Sequence, residues 1–372
     1  MKPGSDISPA PAPETSAAPR RNVALMIPTL MRGGAETQSV LLASYLQASH
    51  NVFFYVLYGE RIDQEYLARL TATTGIKIFR LTGSMPKKLS FLRRSFREND
   101  IHCLFNYLTK ADFWGAAIGR LAGIPKIYSG IESTFLSWWK VPLEMAANRF
   151  MRAKIIFNSQ SAMEKFTRRW LSAKDSLVIH NGIELHELPL KKNPAGSLRV
   201  LTLARFVMEK DFRTSLLAVR DLLEILPDAE IEYAIGGYGP EEAHIRSMIA
   251  EFGLSDTVRI TIAPKPVGDF LDTGDIYLST SIIEGTSNSV MEAMDHRLPV
   301  VATDAGDNRI LVKDGVTGFI CPLGDHRKLA ERIAEIYRNS RIAEMGNAGH
   351  QRLVDTFSIG HMTRKYLDII EQ

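Results

Sequence analysis

Two glutamates separated by seven residues, Glu284 and Glu292, frame the run Glu284-Gly285-Thr286-Ser287-Asn288-Ser289-Val290-Met291-Glu292. Glu284 would close a loop after a strand. Ser287 or Asn288 would cap the following helix, and the amides of Thr286, Ser287, Asn288 and Ser289 would present an anion site with the positive end of the helix behind it. Glu292, a turn into that helix, can accept hydrogen bonds from two neighbouring hydroxyls, as on a ribose. A carboxylate on an exposed helix face is the other reading. The apolar residues around Glu292 and the run LPVVA at 298–302 make the helix a buried one, where a carboxylate without a partner is expensive.

Two further constellations lie where strands should hand over to helices. Gly33 and Gly34, in MRGGAE, would let backbone N–H groups approach a phosphate closely at a helix start, although a tight turn alone also accounts for paired glycines. Arg205 and Lys210, in ARFVMEK, stand five positions apart, so a planar fork and a point charge could grip a diphosphate from two directions. Taken alone, a solvated loop explains that pair. The chain has no G-x-G-x-x-G dinucleotide fingerprint, no G-K-[ST] phosphate loop and no D-x-D pair for a divalent ion.

The elements that must position these groups follow a β-α-β-α rhythm. From Asn22 onward, runs such as VALMIPTL and VFFYVLYG alternate with helix-length amphipathic stretches, and the rhythm restarts at RVLTLARF. The 372 residues exceed what one core supports, so two α/β domains are expected. A tail covers 1–21, a first domain 22–185, a Pro/Gly/Lys-rich linker 186–197 and a second domain 198–351. With 45% hydrophobic and 23% charged residues, the composition excludes a disordered or fibrous chain. Two cysteines, Cys103 and Cys321, exclude a disulfide scaffold and suit a reducing compartment. The tail lacks the apolar core of a signal peptide, and no apolar run has the roughly 20 residues that span a bilayer. In open parallel sheets ligands bind beyond the carboxyl ends of the strands, which is where the three constellations fall.

Taken in order, GGAE, FNSQSAMEKF, VIHNGIE, ARFVMEK, AIGGYGPEE, the spaced glutamates and LPVVATDAGDNRILVKDGVTGFICP resemble the retaining GT-B glycosyltransferases of family 4. The resemblance runs from about residue 22 to the end. It implies an α/β GT-B fold: two facing Rossmann-like domains with parallel sheets, a cleft between them, and a last helix, 352–372, returning to the first domain. It implies a nucleotide-diphosphate sugar held mainly by the second domain. Arg205 and Lys210 would stabilise charge on the departing diphosphate, Glu284 would lie against the donor sugar and Glu292 would hold the ribose. Gly33, Gly34 and Gly237 would contact the donor, and no protein nucleophile, cofactor or metal is implied.

The chain departs from the family pattern on the acceptor side, where Asn106 and Glu132 stand near positions that carry His or Arg in many members; His102 and His180 are candidate substitutes. Ala263 replaces a usual glycine and Thr280 a usual proline, changes expected to be tolerated. Residues 1–190 carry 24 Lys and Arg against 15 Asp and Glu, a basic half that suits nucleic acid, anionic lipid or a phosphorylated substrate. No zinc-ligand spacing or RNA-binding motif supports nucleic acid. The basic segment 87–97, with Leu89, Leu92 and Phe96 on one helical face, and the cluster Trp138, Trp139, Lys140, Arg149 and Arg152 suggest a cytoplasmic protein held peripherally on the inner face of the membrane; the other reading of 87–97 is a helix whose apolar stripe packs on the sheet while its charges are solvated. A lipid-linked saccharide acceptor in surface polysaccharide or glycolipid assembly fits that setting. The alternatives are a soluble acceptor, or a protein that binds a nucleotide sugar without transferring it. The donor sugar and its base, UDP or GDP, are not legible.

Overall fold

The computed structural model describes residues 19–193 and 196–372, so most of the expected tail lies outside it and the expected linker is described except for residues 194–195. Seven strands precede the linker: β1 Asn22–Ile27, β2 Asn51–Val56, β3 Ile76–Arg80, β4 Cys103–Tyr107, β5 Lys126–Ile131, β6 Lys154–Phe157 and β7 Ser176–Val178. Six follow it: β8 Leu198–Arg205, β9 Ile231–Tyr238, β10 Val258–Ile262, β11 Ile276–Ser279, β12 Val300–Thr303 and β13 Gly318–Cys321. The first sheet has the order β3-β2-β1-β4-β5-β6-β7 and the second β10-β9-β8-β11-β12-β13. Both orders reverse direction once, between β1 and β4 and between β8 and β11.

The described pairings are parallel, in registers such as Val23↔Val52, Val23↔Cys103 and Leu198↔Ile231. Parallel strands covered on both faces need near-continuous apolar runs. β1 meets that demand with Val23, Ala24, Leu25, Met26 and Ile27, all without exposed surface. Around the second sheet, Val200, Phe206, Val219, Tyr233 and Ile333 belong to one buried cluster.

Compact packing divides the chain at Tyr128 and Ser129, inside β5, whereas the two sheets change over at the linker. Residues from Ser129 onward pack with the C-terminal half. The amide of Ile183 donates to Phe357 O at 3.0 Å and that of Ile359 to Ile183 O at 2.8 Å, so the last helix, Ile359–Glu371, is docked against the segment leaving β7.

The basic segment 87–97 belongs to the helix Met85–Glu98, and here the structure corrects the expectation of a membrane-facing apolar stripe. Leu92 and Phe96 are buried, Phe96 meeting Tyr55 of β2 edge-on at 5.2 Å. Lys88 is also buried and donates from Nζ to Leu57 O at 2.8 Å. The apolar face is thus largely occupied by the sheet, Leu89 being partly buried, and cations such as Lys87, Arg93 and Arg94 remain outside. No helix among the described residues is long and apolar enough to cross a membrane.

Candidate functional site

The carboxyl ends of β8 and β11, the neighbours at which the second sheet reverses, carry the residues expected to act together. Arg205 ends β8 exposed, and among the described residues no partner holds its guanidinium. Lys210 lies in the short 3₁₀ turn Met208–Lys210, and its Nζ donates to Glu284 Oε1 at 2.5 Å, the two side chains being 16% and 12% exposed. That contact depends on ties between the two loops. The amide of Ile282 donates to Glu209 O at 2.9 Å, and the Thr280 hydroxyl lies 2.9 Å from the carbonyl oxygens of both Lys210 and Asp211. Thr280, where the family usually has proline, therefore clamps Lys210 beside Glu284. Ala263 also departs from the pattern at a cost: its φ of 43° is left-handed, a conformation unfavourable for a residue with a Cβ by roughly 1–2 kcal/mol.

After Glu284 the chain turns into the helix Asn288–Asp295 with Ser287 at the N-cap position, where no side chain caps the helix and no acidic residue occupies the first turn. Other helices in the protein are capped by Asp63, Ser159, Asp211, Asp325 and Ser358. The amide donors at the start of Asn288–Asp295 lack such an acceptor, as those of Gly34–Leu46, Met85–Glu98 and Glu242–Glu251 also do, and an anion site requires that freedom. Ser287 and Ser289 hydroxyls lie 3.3 Å apart, and Asn181 Nδ2 donates to Asn288 Oδ1 at 2.8 Å. The Thr286 hydroxyl faces inward and donates to Asn158 O. Glu292 is half-buried as a residue, and burial of its carboxyl, with Asp295 adding repulsion, pushes its pKa up to about 7.

The loop that holds Glu284 is built from both halves of the sequence. The Thr134 hydroxyl donates to Glu284 O at 2.8 Å, and Asp307 N donates to Gly285 O at 3.1 Å. A Cβ on Gly285 would meet Asn158 Oδ1 and Glu132 O, so this glycine is required by close packing. Glu132 is thereby brought against the Glu284 loop.

Asp307 carries no local motif that marks it in the sequence. It occupies the N-cap position of the helix Asn308–Leu311 but does not cap it; its carboxylate instead accepts from Gln160 N at 2.7 Å, Ser161 N at 3.0 Å, Ser161 Oγ at 2.6 Å and His180 Nε2 at 3.1 Å. Burial opposes its charge, and these hydrogen bonds outweigh burial and hold its pKa below the usual carboxylate range. His180 is accordingly a partner of Asp307. Asp307→Ala leaves four donors without their acceptor and is expected to lower unfolding free energy by about 2–4 kcal/mol, read as a fall in the denaturant midpoint at pH 7. A change under about 0.5 kcal/mol would contradict this role.

The remaining predicted positions separate. Gly237, in β9, has a φ of 154°, and a Cβ there would overlap Ala204 O of β8, so packing by itself demands glycine. Gly33 is different: its φ of −175° is ordinary extended backbone, and an added Cβ would meet only the carboxylate of Glu36. Gly34 opens the helix Gly34–Leu46. Asn106 is 2% exposed, donates from Nδ2 to Tyr128 O at 3.1 Å and packs under Gly115, inside the layer between sheet and helix. His102 precedes β4, at the amino end of the strand, where Arg21 lies 2.8 Å from its Nε2; as a substitute at the carboxyl end it is ruled out.

Two parallel α/β sheets, each with a single reversal of strand order, define the chain as a Rossmann-like GT-B protein. The Anabaena HepE protein solved in complex with UDP matches with a TM-score of 0.80 at 17% identity, over 94% of this chain and 99% of that one. Residues 32–187 match the family model for Glycosyltransferase Family 4 and residues 197–339 that for Glycosyl transferases group 1. The two halves of the chain thus each carry a glycosyltransferase domain, one of each model. It is 34% identical over 164 residues to the amylovoran biosynthesis glycosyltransferase AmsK of Erwinia amylovora, covering 41% of this chain and 40% of that protein. It is 28% identical over 178 residues to the lipopolysaccharide core biosynthesis glycosyltransferase LpsE of Rhizobium meliloti, covering 48% and 51%. The chain thus spans about half the length, or less, of the curated relatives it matches.

Proposed function

We propose that this protein transfers a sugar, with retention of configuration, from a nucleoside-diphosphate donor, UDP- or GDP-linked, to a saccharide acceptor in polysaccharide or glycolipid assembly. One observation carries the reading: Lys210, held at 2.5 Å by Glu284, stands in the same loop cluster as a helix start without a side-chain cap, and that helix carries Glu292 with its raised pKa. Cations, backbone amides and a buried acceptor of hydroxyl protons are the three groups a nucleoside diphosphate needs.

In this reading Arg205 and Lys210 stabilise the negative charge that grows on the diphosphate as the glycosidic bond breaks. Glu284 orients the donor sugar, and Glu292 accepts the ribose hydroxyls. Thr286, Ser287, Asn288 and Ser289 supply the donors at the helix start. Gly33 and Gly34, at the start of the helix Gly34–Leu46 on the first unit, are kept as candidates for phosphate contact on the family resemblance alone. The cationic pair does the work of a divalent ion on the diphosphate, so none is expected there. Glu132 is the better acceptor-side candidate, since the Asn106 amide is engaged within the fold.

A lipid-linked acceptor at a membrane surface is supported by exposed aromatics on the second unit: Phe135 at 55%, Trp138 at 86% and Phe150 at 83% exposed, with Lys140 Nζ 5.5 Å from the centre of the Trp139 ring. Such amphipathic aromatics beside cations suit the headgroup layer. AmsK is named for amylovoran biosynthesis and LpsE for lipopolysaccharide core biosynthesis, which supports an acceptor in polysaccharide or glycolipid assembly.

A thermal-shift panel of UDP, GDP, ADP, TDP, CMP and NAD tests the donor class. One nucleoside diphosphate at about 100 times its Kd should add roughly 2.7 kcal/mol of stability, lost in Arg205→Ala. No stabilisation, or stabilisation by NAD alone, sinks the reading. Tight binding with neither transfer nor donor hydrolysis would make the protein a nucleotide-sugar binder.

A further inference from the structure

The geometry points to a divalent transition-metal site, of the kind that takes Zn²⁺, built from His186, Asp295 and His296. One ligand atom from each of these residues lies within 4.8 Å of the others. None of the three belongs to the proposed donor site, and the inference does not depend on that function.

Two imidazoles and a carboxylate with a fourth position left to water form a familiar ligand set for a borderline-soft divalent ion. The carboxylate is fixed. Asp295 closes the helix Asn288–Asp295 with its side chain 1% exposed, and it accepts from His186 N at 3.2 Å and lies 2.6 Å from His186 Nδ1. His296 follows at once, its side chain 8% exposed, with Nδ1 at 2.7 Å from Asp272 Oδ1. A carboxylate at Nδ1 holds the proton there and leaves the Nε2 lone pair for a metal, the arrangement that usually backs a ligating histidine. Gly268, beside that edge, carries no side chain to crowd it. A Cβ on Gly268 would lie 3.1 Å from His296 Cε1 and 3.4 Å from Nε2, and the glycine there is not required by a left-handed backbone.

The third ligand supplies the movement. Metal–ligand distances of about 2.0–2.2 Å put tetrahedral ligand atoms roughly 3.3 Å apart, so the widest separation must contract by as much as about 1.5 Å while the hydrogen bond between His186 Nδ1 and Asp295 gives way. The side chain of His186 is 58% exposed, on the segment leaving β7, and its ring centre is 5.9 Å from that of His296. It can swing inward without repacking the core. An ion there would join that segment to the end of the helix that carries Glu292.

The test uses the full chain, free of any histidine tag and stripped with chelator. Titration with ZnCl₂ followed by calorimetry should give one ion per chain and raise the thermal midpoint. CoCl₂ should give visible ligand-field absorption of a four-coordinate N/O site. His186→Ala, which removes an exposed side chain, and His296→Gln should each weaken binding by at least tenfold and remove the Co²⁺ band, while Asp272→Asn weakens binding about tenfold with the stoichiometry unchanged. His361→Ala, on the C-terminal helix, should leave all readouts as they were. Absence of a one-to-one site, or a site that survives both His186→Ala and His296→Gln, overturns the assignment. Thermal midpoints without metal establish that each variant is folded.

Discussion

Lys210→Ala and Glu284→Gln are each expected to lower kcat for sugar transfer by about a hundredfold or more, with a much smaller change in the affinity for the nucleoside diphosphate. Removing a preorganised group that stabilises charge developing in the transition state costs on that order. Lys210 is preorganised because Thr280 and the Ile282 amide tie its loop to that of Glu284, and because the ammonium already rests 2.5 Å from Glu284 Oε1. A departing diphosphate carries more negative charge than the bound donor, so the loss falls mainly on kcat. Glu284→Gln keeps the shape but releases Lys210 from its ion pair and removes the carboxylate facing the donor sugar. The two residues share one interaction, so the double variant should be less impaired than the product of the single effects. Steady-state kinetics of transfer, or of donor hydrolysis, reads all three. Single variants that keep activity within about threefold would remove the pair from the chemistry.

Glu292→Gln should weaken nucleotide binding by roughly 10- to 100-fold while making the unliganded protein more stable at pH 8. The second half follows from linkage. The carboxyl titrates near 4.5 in the unfolded chain and is pushed up to about 7 when folded, by burial first and then by Asp295. Below about pH 4.5 it is protonated in both states and has no effect. As pH rises to 7 the unfolded chain releases the proton first, stability falls, and above 7 the full penalty of roughly 3 kcal/mol persists. The neutral amide escapes most of that penalty, so the gain of the variant should vanish by about pH 4.5. Ribose hydroxyls donating to the carboxylate favour its charged form, so nucleotide binding near pH 6 should release a proton and tighten toward pH 8. Denaturation from pH 4.5 to 8 and calorimetry in buffers of different ionisation enthalpy measure both halves. A Gln variant that is less stable at pH 8, or that binds nucleotide unchanged, would refute the role.

These expectations rest on residues that differ in how far the sequence exposed them. β1, β2, β8, β9, β11 and β12 are legible because buried parallel strands must be apolar throughout, β10, an edge strand, through its β-branched residues, and the helix starts at 64 and 212 follow from Asp63 and Asp211, which cap them. β3, IKIFR, is an edge strand with Lys77 and Arg80 exposed, and β7 has three residues; neither carries a continuous apolar run. The spaced glutamates and the cationic loop are also legible, since each is local in the chain. Gly237 and Asn106 have the right residue types, but only packing against Ala204 and beneath Gly115 reveals the structural work those positions do.

By itself the sequence determined the α/β class, the two parallel sheets and the family, because strand apolarity and motif order are properties of neighbouring residues. Tertiary structure alone decided which distant groups meet. It joined Lys210 to Glu284 through Thr280, placed Asp307 on a helix start some 147 positions earlier, and set His186 beside Asp295 and His296. It also turned the apolar stripe of Met85–Glu98 inward. A residue's spacing along the chain fixes the face it occupies, but whether that face meets solvent, a sheet or a charge from another loop depends on packing among segments distant in sequence.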